Sequence, residues 1–161
     1  MITSTLIEIV FDGIYGKVNF EFLPQLLSGA RDISLYDPEI PLPESLEDIV
    51  NVFDSNDYVD IVITTDQLNI NDNIVKSGFI NLGKNDENVE LLLYFDLREL
   101  NEVIYKKEIE FLKKWVDEFV NTYRFQHFIC KMDNAGEFEY YFDSNGWGPF
   151  YQDPDLNIGL E

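Results

Sequence analysis

The sequence predicts an α+β fold in which an antiparallel β-sheet meander packs against one long and one short α-helix. Three strand-like segments follow one another without an intervening helix, which is typical of antiparallel sheets. One long stretch, residues 101–123, carries apolar side chains at helical spacing. The 161 residues are 45% hydrophobic, which suffices for one ordinary core. We therefore expect a single acidic α+β domain over residues 1–161.

The N-terminal residues predict a β-hairpin. Asp12-Gly13 is a tight-turn dipeptide, and apolar residues alternate with polar ones on both sides of it. The alternating residues are Ile7, Ile9 and Phe11 before the turn, and Val18, Phe20 and Phe22 after it.

A short extended segment at residues 33–35 and three prolines separate this hairpin from a short amphipathic helix. Ser45 is the candidate N-cap of that helix, with Asp48 three residues further on. Apolar residues then recur at the spacing of one helix face, at Leu46, Ile49, Val50 and Phe53.

Three strands are predicted next, over residues 58–65, 74–82 and 89–97, with segments rich in Asn, Asp and Gly between them. The longest helix is predicted over residues 101–123, where an apolar stripe repeats at spacings of four and three. A helix lying on the sheet is the main interpretation. A coiled coil is the alternative, but it needs more heptads than this stripe provides.

The C-terminal part predicts a second hairpin, formed by residues 125–132 and 137–143 around a turn at residues 133–136. Asn145-Gly146 then turns the chain into an aromatic segment containing Trp147. Trp147 is interpreted either as an anchor that contacts a partner or as a residue that plugs one end of the core. The sequence favours the two interpretations about equally.

The charge of the chain is its most informative feature. There are 31 Asp and Glu against 11 Lys and Arg, a net charge of -20, whereas solubility needs a magnitude of only ~2 to 8 in a small domain. No Lys or Arg occurs in residues 32–75, or after Lys131. Adaptation to high salt is an alternative explanation, to which a chain rich in Phe, Ile and Leu lends little support. The charge predicts attraction to a basic protein partner and disfavours direct binding of nucleic acid.

Catalytic and cofactor motifs are not found in the sequence. His127 and Cys130 are three positions apart on a predicted strand, so their side chains point to opposite faces and form no dyad. Phosphate-binding glycine motifs do not occur, and the loop that starts at Asp143 departs from a calcium loop at Trp147 and Pro154. We expect no enzyme activity, no cofactor and no metal site. A carboxylate-based hydrolase and an oligomeric structural or regulatory module remain alternatives.

Apolar runs, N-terminal charge and cysteine content together predict the cellular location of the chain. No apolar run approaches the ~20 residues of a membrane span, and the N-terminus has no positively charged region. Cys130 is the only cysteine, which suits a reducing compartment. We expect a cytoplasmic protein that does not bind membranes.

Large aromatic residues beside acids in the C-terminal segment complete the candidate site, because Trp and Tyr dominate binding hot spots and acids steer basic partners. The predicted partner-binding residues are Asp54, Asp57, Asp60, Asp66, Asp72, Tyr141, Asp143, Trp147, Tyr151 and Asp153.

In its size, acidity, strand-rich order with one long helix and Asn-Gly-rich aromatic C-terminus, the chain resembles the small acidic immunity proteins of bacterial polymorphic or contact-dependent toxin systems. The residues that carry this likeness at the C-terminus are Phe142, Asp143, Ser144, Asn145, Gly146 and Trp147. The resemblance implies a protein without chemistry of its own that binds a cationic effector, often a nuclease, and covers its active site. The oligomeric state stays open.

Overall fold

The computed structural model describes residues 2–3, 5–28, 30–35, 46–101, 106–133, 135–152 and 157–158. The strands are β1 (Ile2–Thr3), β2 (Leu6–Ile14), β3 (Ala30–Leu35), β4 (Tyr58–Thr65), β5 (Leu68–Ile70), β6 (Asn73–Val75), β7 (Gly78–Asn85), β8 (Asn88–Asp96), β9 (His127–Met132), β10 (Tyr140–Asp143), β11 (Gly146–Trp147) and β12 (Asn157–Ile158). The helices are α1 (Leu23–Ser28), α2 (Leu46–Ser55), α3 (Lys106–Tyr123) and α4 (Pro149–Gln152), with 3₁₀ turns at Phe20–Phe22 and Leu97–Glu99.

An eight-stranded antiparallel sheet forms the centre of the structure, with strand order β11-β10-β9-β2-β8-β7-β4-β3. The predicted α+β fold is confirmed, and β4, β7 and β8 are consecutive neighbours as a meander requires. β2 lies in the middle of the sheet, between β8 and β9. A small hairpin, β5–β6, is inserted between β4 and β7, and β1 pairs with β12 in parallel.

One face of the sheet and the apolar stripe of α3 form the core. Inward-facing side chains of β2 such as Phe11 are fully buried, and the ring of Phe11 lies 4.8 Å from that of Phe119 on α3. The stripe of α3 buries Ile109, Leu112, Val116, Phe119 and Val120. The predicted helix end at Tyr123 is confirmed, and the predicted first turn falls partly on residues 102–105, outside the described residues.

The predicted N-terminal hairpin is wrong. β2 runs straight through Asp12-Gly13, which pair with Glu90 and Val89 of β8. Gly13 is needed for packing and not for a turn, because a Cβ atom there would lie 2.5 Å from the side chain of Val18. The residues expected to form the second strand instead make a loop and a 3₁₀ turn that leads into α1.

Other boundaries differ in detail. The strand predicted over residues 74–82 is two strands, since β6 pairs with β5 and only β7 belongs to the large sheet. The short helix is confirmed as α2, although its candidate cap Ser45 lies outside the described residues. The C-terminal hairpin is confirmed, but its second strand is only β10 and carries a register shift between Tyr140 and Phe142.

Candidate functional site

The face of the sheet opposite α3 carries the side chains that alternate with the core. On β2 these are Glu8, Val10 and Asp12, none of which is buried, whereas their neighbours Ile7, Ile9 and Phe11 are fully buried. The same alternation holds along β4 and β8. We refer to the outward-facing residues of β2, β4, β7, β8 and β9 as the outer face.

Strand register aligns several charged residues of the outer face in one row. Asp60 on β4 lies opposite Gly83 on β7, which lies opposite Glu90 on β8. Glu90 in turn lies opposite Asp12 on β2, and Asp12 opposite His127 on β9. We name Asp60, Glu90 and Asp12 the acidic row.

Electrostatic repulsion and partial desolvation act together in the acidic row. Burial raises the pKa of Glu90, and the nearby Asp12 and Asp60 carboxylates raise it further. Burial also raises the pKa of Asp12, while His127 opposes that shift. Gly83 makes this crowding possible, because a Cβ atom there would lie 2.6 Å from a carboxylate oxygen of Asp60. The row is therefore a concentrated negative charge on an otherwise mixed surface.

The five acids predicted between residues 54 and 72 are all exposed, but the structure does not bring them into one patch. Asp57 and Asp66 flank β4 and so lie roughly 30 Å apart, at the rise of an extended strand. Asp54, at the end of α2, accepts a hydrogen bond from the hydroxyl of Tyr15. Asp60 belongs to the acidic row, and Asp72 lies in the tight turn of the β5–β6 hairpin.

The aromatic residues of the C-terminal segment pack against α3. The Trp147 ring stacks on Tyr151 at 3.9 Å, and the Nζ of Lys113 lies 5.5 Å from the Trp147 ring centre. Tyr151 donates its hydroxyl to Glu110, which raises the pKa of Tyr151 to about 12, while Lys106 lies over the Tyr151 ring. Trp147 is half-buried, so the structure combines features of both interpretations of this residue.

The remaining predicted residues of this segment differ in exposure. Tyr141 is fully buried against Phe150, so it is a core residue and does not present an exposed contact. Asp143 is half-exposed and accepts a hydrogen bond from the backbone of Asn145 at 2.8 Å, which holds the turn before β11. Asp153 lies outside the described residues.

The predicted acidic and aromatic groups lie towards opposite edges of the sheet. β10 and β4 are separated by four strands, which corresponds to about 24 Å between them. The outer face lies between the two groups, and its residues Asp12 and Glu90 were not predicted. Their alignment depends on the register of the paired strands, which cannot be read from a single sequence.

A cleft of about 350 Å³ lies on the other side of the molecule, between the β5–β6 hairpin and α3. Three aromatic residues of α3, Trp115, Phe119 and Tyr123, line it together with Phe22 and Leu68. Two carboxylates, those of Asp72 and Glu118, also line the cleft.

In the part of the chain that the structure describes, groups with nucleophilic or metal-binding chemistry are not assembled into a site. His127 is exposed, while Cys130 is fully buried on the opposite face of β9, and burial raises the pKa of the Cys130 thiol. Within the described ranges, no group of three or more His, Cys, Asp or Glu residues is placed to hold a metal ion. None of the helices in those ranges is both long enough and apolar enough to cross a membrane.

Comparison with known proteins gives a family and a fold. A family model described as PABL017 Cdi1I immunity protein matches residues 5–145. The chain also resembles a chain of the 1.75 Å crystal structure of the toxic C-terminal tip of CdiA from Pseudomonas aeruginosa in complex with immune protein. That likeness has a TM-score of 0.70 at 17% identity and covers 90% of this chain and 97% of the other. No curated protein sequence matches the chain.

Proposed function

The chain belongs to the PABL017 Cdi1I immunity protein family, and from this we propose that it binds a cognate bacterial toxin and neutralises it. The family match is the observation that carries the proposal, because it covers residues 5–145 and so includes every strand of the large sheet except β11. The similar crystal structure, at 17% identity, supports the fold. The protein acts in the cytoplasm, where an immunity protein would meet an incoming toxin.

The partner that we propose is basic at the surface it presents. The net charge of -20 favours such a partner, and the acidic row shows where repulsion among carboxylates is concentrated. A cation placed between Asp12 and Glu90 would relieve that repulsion, since opposite charge favours the ionised form of both groups. Electrostatic attraction of this kind raises association rates to as much as ~10⁸ to 10⁹ M⁻¹s⁻¹ at low salt.

The outer face is the surface that we propose for the main contact. It combines the acidic row with half-buried apolar side chains, including Val10, Leu92 and Ile129. A charged rim around apolar positions is the usual composition of a protein interface. Asp60 is the predicted residue that belongs to this face, and we keep Asp143, Trp147 and Tyr151 as contacts at its C-terminal edge.

Neutralisation by covering the active site of the toxin requires no catalytic chemistry from this chain. A nuclease is the partner class that we favour, because a nuclease must carry a positive groove for phosphates and an acidic protein is complementary to it. The hydrolase alternative would need a carboxyl group that burial keeps protonated. Asp72 and Glu118 share a cleft, but both are exposed to solvent, so the cleft does not favour that alternative.

Co-expression with the cognate toxin domain tests the proposal. We expect the chain to restore growth to cells that make the toxin, and to form a one-to-one complex in titration calorimetry. The variant Asp12→Asn/Glu90→Gln should lower the association rate, while Glu87→Gln/Glu137→Gln, which removes the same charge from two exposed loops, should change it less. Unimpaired toxicity in the presence of the wild-type chain would contradict the proposed function.

A further inference from the structure

The cleft between the β5–β6 hairpin and α3 combines an aromatic wall with an acidic rim. Trp115, Phe119 and Tyr123 are spaced four residues apart on α3 and so lie on one side of the helix. Their rings form a continuous row, with 5.2 Å between the first pair of centres and 4.7 Å between the second. Trp115 and Tyr123 are half-exposed, so part of this wall meets solvent.

The polar residues of the cleft carry one sign of charge. Asp72 and Glu118 line it from opposite sides, the first from the hairpin and the second from α3. Amide side chains complete the rim at Asn69 and Asn71, and none of the described lining residues is Lys or Arg. The cleft is therefore complementary to a cation that can also contact aromatic rings.

The hairpin turn is shaped to hold Asp72 in place. Asn71 and Asp72 have φ of 50° and 66°, and they connect Ile70 to Asn73 directly across the hairpin. Positive φ at both central residues is the geometry of a type I′ turn, which Asn and Asp tolerate better than most residues. The short turn and the buried side chains of Leu68, Ile70 and Val75 fix the hairpin against the core.

We propose that this cleft receives an arginine side chain from a segment of the toxin that extends beyond the main contact on the outer face, an inference that rests on the proposed function. A guanidinium group is planar, stacks on aromatic rings and donates several hydrogen bonds to carboxylates, so it uses both features of the cleft. An ammonium group is more strongly hydrated and has no plane to stack, which favours arginine over lysine. A volume of about 350 Å³ lies within the range of clefts that bind small groups.

The first experiment measures guanidinium binding without the toxin. Acetyl-arginine amide is titrated into the protein while the indole N–H of Trp115 is followed by NMR, and acetyl-citrulline amide serves as the neutral isostere. We expect a saturable shift with the arginine compound and little shift with the citrulline compound. Equal shifts with both compounds, or a shift unchanged in Asp72→Asn/Glu118→Gln, would overturn the proposal.

The second experiment measures toxin binding by calorimetry. Asp72→Asn/Glu118→Gln should weaken the complex at least 10-fold, while Glu87→Gln/Glu137→Gln, with the same change in net charge, should weaken it less than 3-fold. Asn is suited to the positive φ at residue 72, and thermal melts of both variants verify folding. Equal weakening by both variants would overturn the cleft proposal and leave toxin neutralisation standing. If the wild-type chain does not bind the toxin at all, the proposed function fails, and the arginine titration still decides whether the cleft prefers guanidinium.

Discussion

The two faces of the large sheet differ in burial and in the kinds of residue that they carry. On β2 the inward residues Ile7, Ile9 and Phe11 have no exposed surface, and the outward residues on the same strand include two acids. Inward positions must fill space against α3, so volume and apolarity are restricted there. Core packing does not restrict the outward positions in this way. Residues that bind a partner can therefore occupy them.

The ionisable groups on the two faces differ in their burial and in the groups that surround them. The inward face carries Lys84, which is buried and donates to the backbone carbonyls of Phe53 and Asn56, with its Nζ 4.2 Å from the centre of the Tyr15 ring. These carbonyls belong to the end of α2, where a cation is favourable. The acids of the outer face instead crowd one another. The buried charge therefore stabilises the fold, and the exposed charges oppose it slightly.

The largest effect that we predict breaks the inward face. Phe11→Ala removes a ring that contacts Phe119 and Phe125, with centres 4.8 and 5.5 Å away. We expect a loss of ~3 to 5 kcal/mol in the free energy of unfolding, which is typical of emptying a buried aromatic site. Urea denaturation measures this loss. The control is Val10→Ala on the outer face of the same strand, and a loss equal to that of Phe11→Ala would contradict the comparison.

A smaller loss is expected when the buried cation is removed. Lys84→Met keeps most of the side-chain volume but leaves the carbonyls of Phe53 and Asn56 without their buried donor. We expect destabilisation of about 2 kcal/mol, the size of a hydrogen bond to a charged group. Lys114→Met, at an exposed position on α3, should change stability by less than ~0.5 kcal/mol. Equal melting curves for the two variants would show that Lys84 does not secure α2.

A variant at Trp147 separates the contribution of this residue to the fold from its contribution to toxin binding. Because its ring is half-buried and stacks on Tyr151, Trp147→Ala should cost the fold about 1 kcal/mol, within the range of an aromatic pair. As an interface anchor, the residue should also contribute ~2 kcal/mol or more to toxin binding. Thermal melts and calorimetry on one variant separate the two contributions. A stability loss of ~3 kcal/mol or more with binding intact would assign Trp147 to the core alone.

The smallest predicted effect has the opposite sign. The pKa values of Asp12 and Glu90 are raised in the folded state, so their ionised forms destabilise it, and this penalty disappears as the pH falls and both groups become protonated. Asp12→Asn/Glu90→Gln should therefore stabilise the fold at pH 7 by about 0.5 kcal/mol, the size of a cross-strand like-charge pair. Denaturation from pH 7 down to 3.5 should show the gain shrinking. A gain that grows towards low pH would refute the repulsion.

Local patterns predicted most elements of the fold from the sequence. The strand predicted over residues 58–65 is β4 without change, because its apolar alternation matches its burial. The prediction of a turn at Asp12-Gly13 was wrong because it used only the residues next to this dipeptide. Glycine occurs at position 13 because the side chain of Val18, from a later loop, packs where a Cβ atom would lie.

Less of the candidate site could be predicted. Asp60 was predicted from composition alone, and its alignment with Glu90 and Asp12 exists only through the register of four strands. Tyr141 was assigned to the surface because it lies near a turn, yet β10 directs its side chain into the core. Residues that meet through long-range pairing are not visible in a single sequence, because period-two alternation fixes a face but not a partner.

The central position of β2 has a consequence for the time at which a cell becomes protected. β2 is the first strand of the large sheet to be synthesised, but its neighbours are β8 and β9, so Ile7 cannot pair until Phe95 and Met132 have been synthesised. Pairings so distant in sequence slow folding, and at ~5 to 20 residues per second they cannot begin until most of the chain has been translated. A fragment ending at residue 87 contains neither neighbour of β2 and should therefore lack a stable sheet around it, which circular dichroism can measure. We therefore expect protection of a cell to depend on chains whose synthesis was complete before the toxin arrives.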